Sequence, residues 1–409
     1  MQRSSSNLFD RITMLVLLLF PVLNIYAIGD KSANVVSIII LILIFLLFFS
    51  FQMKYRRIKM PKQLLYLFIY LYIITFITSV DQGISALLPL SFFLVFFSNY
   101  IYWKTFDELV FLKYYKSLVI VSVLLFFVQY LVQQFTGYGI SGIIPGLPIS
   151  TGVSENIVEH TLSGEARNRS FFSEPSHLAQ FLLPYLIISL YSKNSISKFS
   201  KLVILSIIIV LLLLDSGTAL IGLIPILFFI VLDLKHRYKH QRIYYILLLI
   251  VLMFFLLVFY FYTQSNTNLF ERVSELEPET TIASSGFMRI WRGYFVLADY
   301  SLLEFIFGNP DTDHLIKHIY NTNMDFGMDN FSLTYFNGIQ SLLMKQGVFG
   351  LFLFLWLISS LWRNNTLCGK CLLATMIVLM FIESLYLTST MCVFLLLAYS
   401  SKKTNLNHI

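Results

Sequence analysis

The chain has 409 residues, 57% hydrophobic and 12% charged, with a net charge of +7. Soluble domains carry roughly 25% charged residues, so this composition excludes an ordinary globular protein, and the repeated runs of about 20 apolar residues mark a polytopic membrane protein. The positive charge suggests a nucleic-acid or phosphate partner only until it is placed along the chain, and three cysteines (Cys368, Cys371, Cys392) cannot build a disulfide framework.

In chain order, the apolar runs predict spans near 12–29, 33–51, 63–80, 84–103, 117–135, 171–191, 202–214, 217–234, 243–262, 337–361, 371–386 and 388–400. The seventh and the last are short, so ten to twelve spans are compatible with the pattern. The first run resembles a signal-peptide core, but another span follows at once and no small-residue cleavage site closes it. The expected fold class is an all-α polytopic membrane protein of about twelve helices, with two long outer loops carrying short helices. Residues 1–135 hold spans one to five and 136–170 the first outer loop. Spans six to nine fall in 171–262, the large outer loop in 263–336, and the last three spans with a cytoplasmic tail in 337–409.

Charge placement orients the chain, because Lys and Arg collect on the cytoplasmic side. With both termini inside, the cytoplasmic segments hold 21 of the 29 Lys+Arg but 4 of the 22 acids. The basic loops therefore serve orientation and anionic lipid headgroups, and no nucleic-acid partner is expected. No phosphate-binding glycine loop, dinucleotide fingerprint or H-E-x-x-H stands in the sequence. Cys368-Gly369-Lys370-Cys371 spells C-x-x-C, but at a membrane edge and without the βαβ setting of a redox motif. Span interiors are nearly free of charge, Asp215 and Glu383 standing near outer ends. That counts against an ion-coupled transporter, which usually carries an ionisable group at mid-depth.

The outer face concentrates the chemistry. His160, His177, His314 and His318 fall there with Arg167, Arg169, Arg272, Arg289 and Arg292. Arginine presents a planar fork that binds phosphate oxygens pairwise and stays ionised. These arginines could instead pair with Glu165, Glu174, Glu271 or Glu275. The stretch EARNRSFFSEPSHLAQFLLPYLIISLY (165–191) is the densest. Pro175 suits the first turn of a helix, where its missing N–H costs nothing. Ser173 or Glu174 would cap that helix, with Glu174 and His177 three apart on one face.

Arg167-x-x-Ser170-x-Phe172-x-Glu174-Pro175, leading into a span, resembles the loop-to-helix motif of O-antigen and capsular polysaccharide polymerases of the Wzy type and of the related O-antigen ligases. LLLLDSGTALIGLIPILFFIVL (211–232) resembles their paired spans split by a polar turn. SSGFMRIWRGYFVLADYSLLEFIFGNP resembles the start of their large outer loop, with Arg289 in its small-Gly-x-x-Arg pattern. GIQSLLMKQGVFGLFLFLWLI resembles the span that closes the loop, with Gly347 and Gly350 at its signature glycines. The likeness covers roughly residues 120–365. Ligases carry a His shortly before an Asn ahead of that span, where this chain reads Met328-Asp329-Asn330-Phe331. The usual Gly-x-Gly is reduced to Phe307-Gly308-Asn309. Both departures favour polymerase over ligase.

The resemblance implies a glycosyltransferase of the bacterial inner membrane with its active site facing the periplasm. It would transfer a growing chain from undecaprenyl pyrophosphate to a new lipid-linked repeat unit. Expected partners are undecaprenyl-pyrophosphate-linked oligosaccharides and membrane lipids, with a chain-length regulator and a flippase. The donor is already activated, so no cofactor and no metal are expected. Arg167 and Arg289 would neutralise the leaving group. Glu174, His177, His314, His318 and Asp329 compete for base or acceptor-positioning roles, while Arg169 and Arg292, with His314 and His318, would bind pyrophosphate or sugar. An O-antigen ligase and a polysaccharide flippase are the alternatives.

Overall fold

The structure, a computed structural model, describes residues 8–23, 26, 62–78, 108–144, 168–191, 198–214, 216–237, 290–321 and 336–401. Among these residues the secondary structure is helical, with no β-strand. In chain order the helices are α1 (Leu8–Leu23), α2 (Lys62–Thr78), α3 (Glu108–Thr136), α4 (Pro175–Tyr191), α5 (Lys198–Leu213) and α6 (Gly217–Arg237). Then come α7 (Arg292–Ala298), α8 (Leu302–Phe307), α9 (Thr312–Asn321), α10 (Gly338–Arg363), α11 (Leu367–Met380) and α12 (Ser389–Ser400). The first six and the last three fall where the apolar runs predict spans. Short helices α7–α9 fall within 263–336. The expected spans at 33–51, 84–103 and 243–262 lie outside the described residues.

Two stretches, Leu109–Thr136 in α3 and Gly338–Arg363 in α10, are long and apolar enough to cross a membrane. At 1.5 Å per residue either exceeds the roughly 30 Å of a bilayer's hydrocarbon core. The most apolar window of α3 is only 28% buried, and Leu124 and Phe135 on it face outward.

Helix ends follow local chemistry. The segment 104–116 reads as a loop by its charge, yet α3 begins at Glu108. The segment contains neither Gly nor Pro, Glu108 stands at the helix start where the dipole favours it, and Phe111 and Tyr115, one turn apart, are both buried. Helix α4 starts at Pro175 rather than at 171, since residues 170–174 form a turn ahead of it. The paired helices α5 and α6 divide at Leu214–Ser216, inside the polar turn of the 211–232 motif. Helix α11 stops at Met380, short of the expected 386. A turn follows, in which Leu385 N–H bonds Glu383 O at 2.8 Å and Leu387 takes φ +57°. The Thr388 side chain then caps α12.

The core is one apolar cluster drawn from α1–α6 and α10–α12. Helices α4 and α12 are buried along almost their whole length, as helices apolar on every face must be. Helix α11 packs on α6 and α12, α4 on α6, and α10 on α2. A second, smaller cluster joins α7 and α9 to the first half of α10 through Val296, Leu297, Leu315, Ile319, Phe336 and Met344.

Candidate functional site

Two polar assemblies carry the described candidate residues. The first is the turn ahead of α4. Gln129, fully buried on α3, accepts from the backbone N–H groups of Arg169 (3.2 Å) and Ser170 (2.7 Å) through Oε1. Its Nε2 donates to Ser170 O and Ile140 O, each at 3.2 Å. One helical turn on, Gln133 Oε1 accepts from Asn168 Nδ2 at 2.6 Å. Two glutamines of a span thus hold the backbone of 168–170 in a shape that includes φ +56° at Ser170, a left-handed conformation uncommon for a residue with a side chain. Gly142 abuts Ser170, where a Cβ would overlap its carbonyl.

Arg169 Nη1 donates to Ser173 O at 2.7 Å, and burial lowers the guanidinium below its ordinary value while the charge of Glu174 opposes that shift. Glu174 is exposed at the N-cap position and accepts from Ser176 Oγ at 3.2 Å. Ser173 Oγ lies 2.5 Å from His177 Nδ1. Arg169, Glu174 and His177 are therefore neighbours at the start of α4, the end of a helix where its dipole favours an anion.

The second assembly sits on α7–α9. Ser301 and Glu304 form a capping box that starts α8: Glu304 Oε2 accepts from Ser301 N–H at 2.8 Å, and Ser301 Oγ accepts from Glu304 N–H. The other carboxylate oxygen, Oε1, points at two imidazoles, 3.0 Å from His314 Nε2 and 3.7 Å from His318 Nε2. His318 Nδ1 donates to Asp299 Oδ2 at 2.6 Å, and the Tyr300 ring packs against the His318 ring at 4.8 Å between centroids. Hydrogen bonds from His318 and Asn321 hold the Asp299 carboxyl below its usual range. Burial pushes Glu304 upward, but the Ser301 bonds and the two imidazoles outweigh it and the net shift is down. Burial, then the charge of Glu304, raises the Tyr300 hydroxyl.

Arg292 has a different setting. Its side chain is fully buried, with the guanidinium 5.0 Å above the Phe336 ring, and burial pushes its pKa down to about 10. The residue is part of the packing between α7 and the segment leading into α10.

Glycines join the loop to the span. Helix α10 breaks at Gly347, with φ +64°. Gly308, at φ +79°, lies against the break, where a Cβ on either glycine would overlap the other segment's backbone. The backbone groups freed there are taken up: Asn309 N–H bonds Met344 O at 2.7 Å, and Tyr70 Oη bonds Gln346 O at 2.7 Å and Phe307 O at 2.6 Å. Such repair by neighbours leaves the broken helix without orphaned backbone groups at these positions. Two features noted separately in the sequence, Phe307-Gly308-Asn309 and Gly347, form one contact.

Of the sequence-predicted residues, Arg169, Glu174 and His177 come together on one turn, and His314 and His318 on one helix. Arg292 is packed in the interior of the loop helices. Arg167, Arg289, Asp329 and His160 lie outside the described residues. Sequence reasoning passed over Asp299, Glu304 and Gln129. Two signals could have found the first pair: Ser301-x-x-Glu304 is a capping-box spacing, and His314-x-x-x-His318 puts both rings on one helical face. Compared with protein-family models and with curated proteins, the chain matches none.

Proposed function

We propose that this chain is a polymerase of lipid-linked oligosaccharide repeat units, crossing the bacterial inner membrane about twelve times with its active site at the outer face. An acceptor hydroxyl of a new repeat attacks the anomeric carbon of the growing chain, and the bond to undecaprenyl pyrophosphate breaks with its electrons leaving on the pyrophosphate. Arg167 and Arg289 neutralise that charge, an electrostatic role worth several kcal/mol in comparable sites. Arg169 adds a third cation. Glu174 and His177 seat the acceptor hydroxyl and take its proton.

The observation that carries this reading is the turn at 168–177. A backbone fixed by Gln129 and Gln133 holds a guanidinium, a carboxylate and an imidazole at the N-terminus of an apolar helix. Ordered donors that need no rearrangement are what a developing pyrophosphate charge requires.

The test is a chromosomal deletion, with lipopolysaccharide examined by gel. The expected result is core carrying one repeat unit and no ladder, restored by the wild-type chain. Arg167→Ala and Arg289→Ala chains should fail to restore it while reaching the membrane at normal levels. Bare core with long chains stranded on the lipid carrier would identify a ligase instead. Bare core with single repeats held on the inner leaflet would identify a flippase.

A further inference from the structure

We propose that Glu304, His314 and His318 bind a divalent transition metal of the zinc class, with Asp299 orienting one ligand and a fourth coordination position open. Their donor atoms lie within 4.8 Å of one another. A tetrahedral zinc site with bonds of about 2.0–2.1 Å sets its donors about 3.3 Å apart. The 3.0 Å and 3.7 Å separations from Glu304 Oε1 to the two Nε2 atoms bracket that value. Closing the widest pair takes a rotation of imidazoles already in edge contact, with centroids 4.5 Å apart.

Four features suit these groups to a metal better than to one another. His318 is 8% exposed, and its Nε2 is buried without a hydrogen-bond partner. The Asp299 carboxylate engages His318 Nδ1, which leaves Nε2, 3.7 Å from Glu304 Oε1, as the ring nitrogen open to a metal. A carboxylate behind a histidine ligand is the usual outer shell of such sites, setting tautomer and ring angle. The capping box engages Glu304 Oε2 and thereby turns Oε1 toward the rings. Finally, the histidines stand one turn apart on α9, a spacing that presents both from a rigid element.

The donor set selects the ion. Two imidazole nitrogens and one carboxylate oxygen suit zinc and its transition-metal neighbours, whereas magnesium and calcium prefer oxygen-only shells. Three protein ligands leave room for a water or a substrate oxygen, as in catalytic rather than structural zinc sites. Bound metal would also cross-link α8 to α9, so it would hold the outer-loop helices together. The lipid-pyrophosphate chemistry proposed above does not require this metal, and the two ideas stand or fall separately.

The test uses the full-length chain purified in nanodiscs without a polyhistidine tag, equilibrated with zinc and freed of excess by dialysis. One equivalent per chain is expected by elemental analysis. It should be lost in His314→Ala/His318→Ala and bound 10–100-fold more weakly in Asp299→Asn. The Cys368→Ser/Cys371→Ser chain should retain it. X-ray absorption of the wild-type chain, which needs no variant to fold, should show nitrogen or oxygen neighbours at about 2.0–2.1 Å and no sulfur at about 2.3 Å. Sulfur ligation, equal zinc in the wild type and the double-histidine chain, or no zinc in the wild type would overturn the proposal.

Discussion

The turn at 168–177 and the loop helices at 290–321 both gather arginine, histidine and carboxylate, but they are held in opposite ways. In the turn, side chains of a neighbouring helix grip the backbone: Gln129 alone engages Arg169 N, Ser170 N, Ser170 O and Ile140 O. In the loop helices the side chains grip one another: His318 with Asp299, His314 with Glu304, Arg292 over Phe336. The turn keeps its shape whatever its side chains bind, whereas in the loop helices three donor atoms converge within 4.8 Å of one another. The contrast is why we propose a lipid-linked pyrophosphate for the first region and a metal ion for the second.

The comparison breaks most visibly at Gln129. Gln129→Leu keeps the volume but leaves at least the buried Ser170 N–H and carbonyl unpaired, each costing about 1–3 kcal/mol. Hydrogen exchange at 168–172 should rise by several orders of magnitude and chain extension should fall, while exchange at 290–321 stays unchanged. Equal loosening of both regions would show that they are not separately held.

Gly308→Ala is the converse test. Its φ of +79° and ψ of 169° suit glycine alone and would cost another residue about 1–3 kcal/mol, before the overlap with the Gln346–Gly347 backbone. The substitution should undock α8 from α10, visible as faster proteolysis within 290–321, and leave the 168–177 turn intact. Wild-type protection of the loop would show that the two glycines do not hold it.

The smallest effect is that of pH. Asp299 and Glu304 titrate below their ordinary values of 3.8 and 4.5 in the folded chain. Depressed carboxylates lend stability that is complete above the unfolded value and is lost as pH falls through the folded one. The protection factor at 290–321 in metal-free protein, corrected for the intrinsic pH dependence of amide exchange, should therefore fall a few-fold below about pH 4. An unchanged protection factor down to about pH 3 would remove the carboxylates from the account of how the loop is held.

The sequence by itself determined where helices form, because apolar runs, proline at a first turn and capping spacings act within a few residues. Pro175 opening α4, the Leu214–Ser216 break between α5 and α6, and short helices after 290 all follow from such local terms. Where local signals competed, the pattern erred at the ends: charge suggested a loop at 104–116, but buried Phe111 and Tyr115 extend α3 back to Glu108. Tertiary structure alone decided which polar groups meet. Gln129 reaches Ser170 across 41 positions and Tyr70 reaches Phe307 across 237, separations over which no periodicity carries information. Likewise, Arg169 and Arg292 look alike in the sequence, each with an aromatic residue within two positions. The first is partly buried on a turn whose backbone is anchored to α3, and the second is fully buried because Phe336, 44 positions away, folds under its guanidinium.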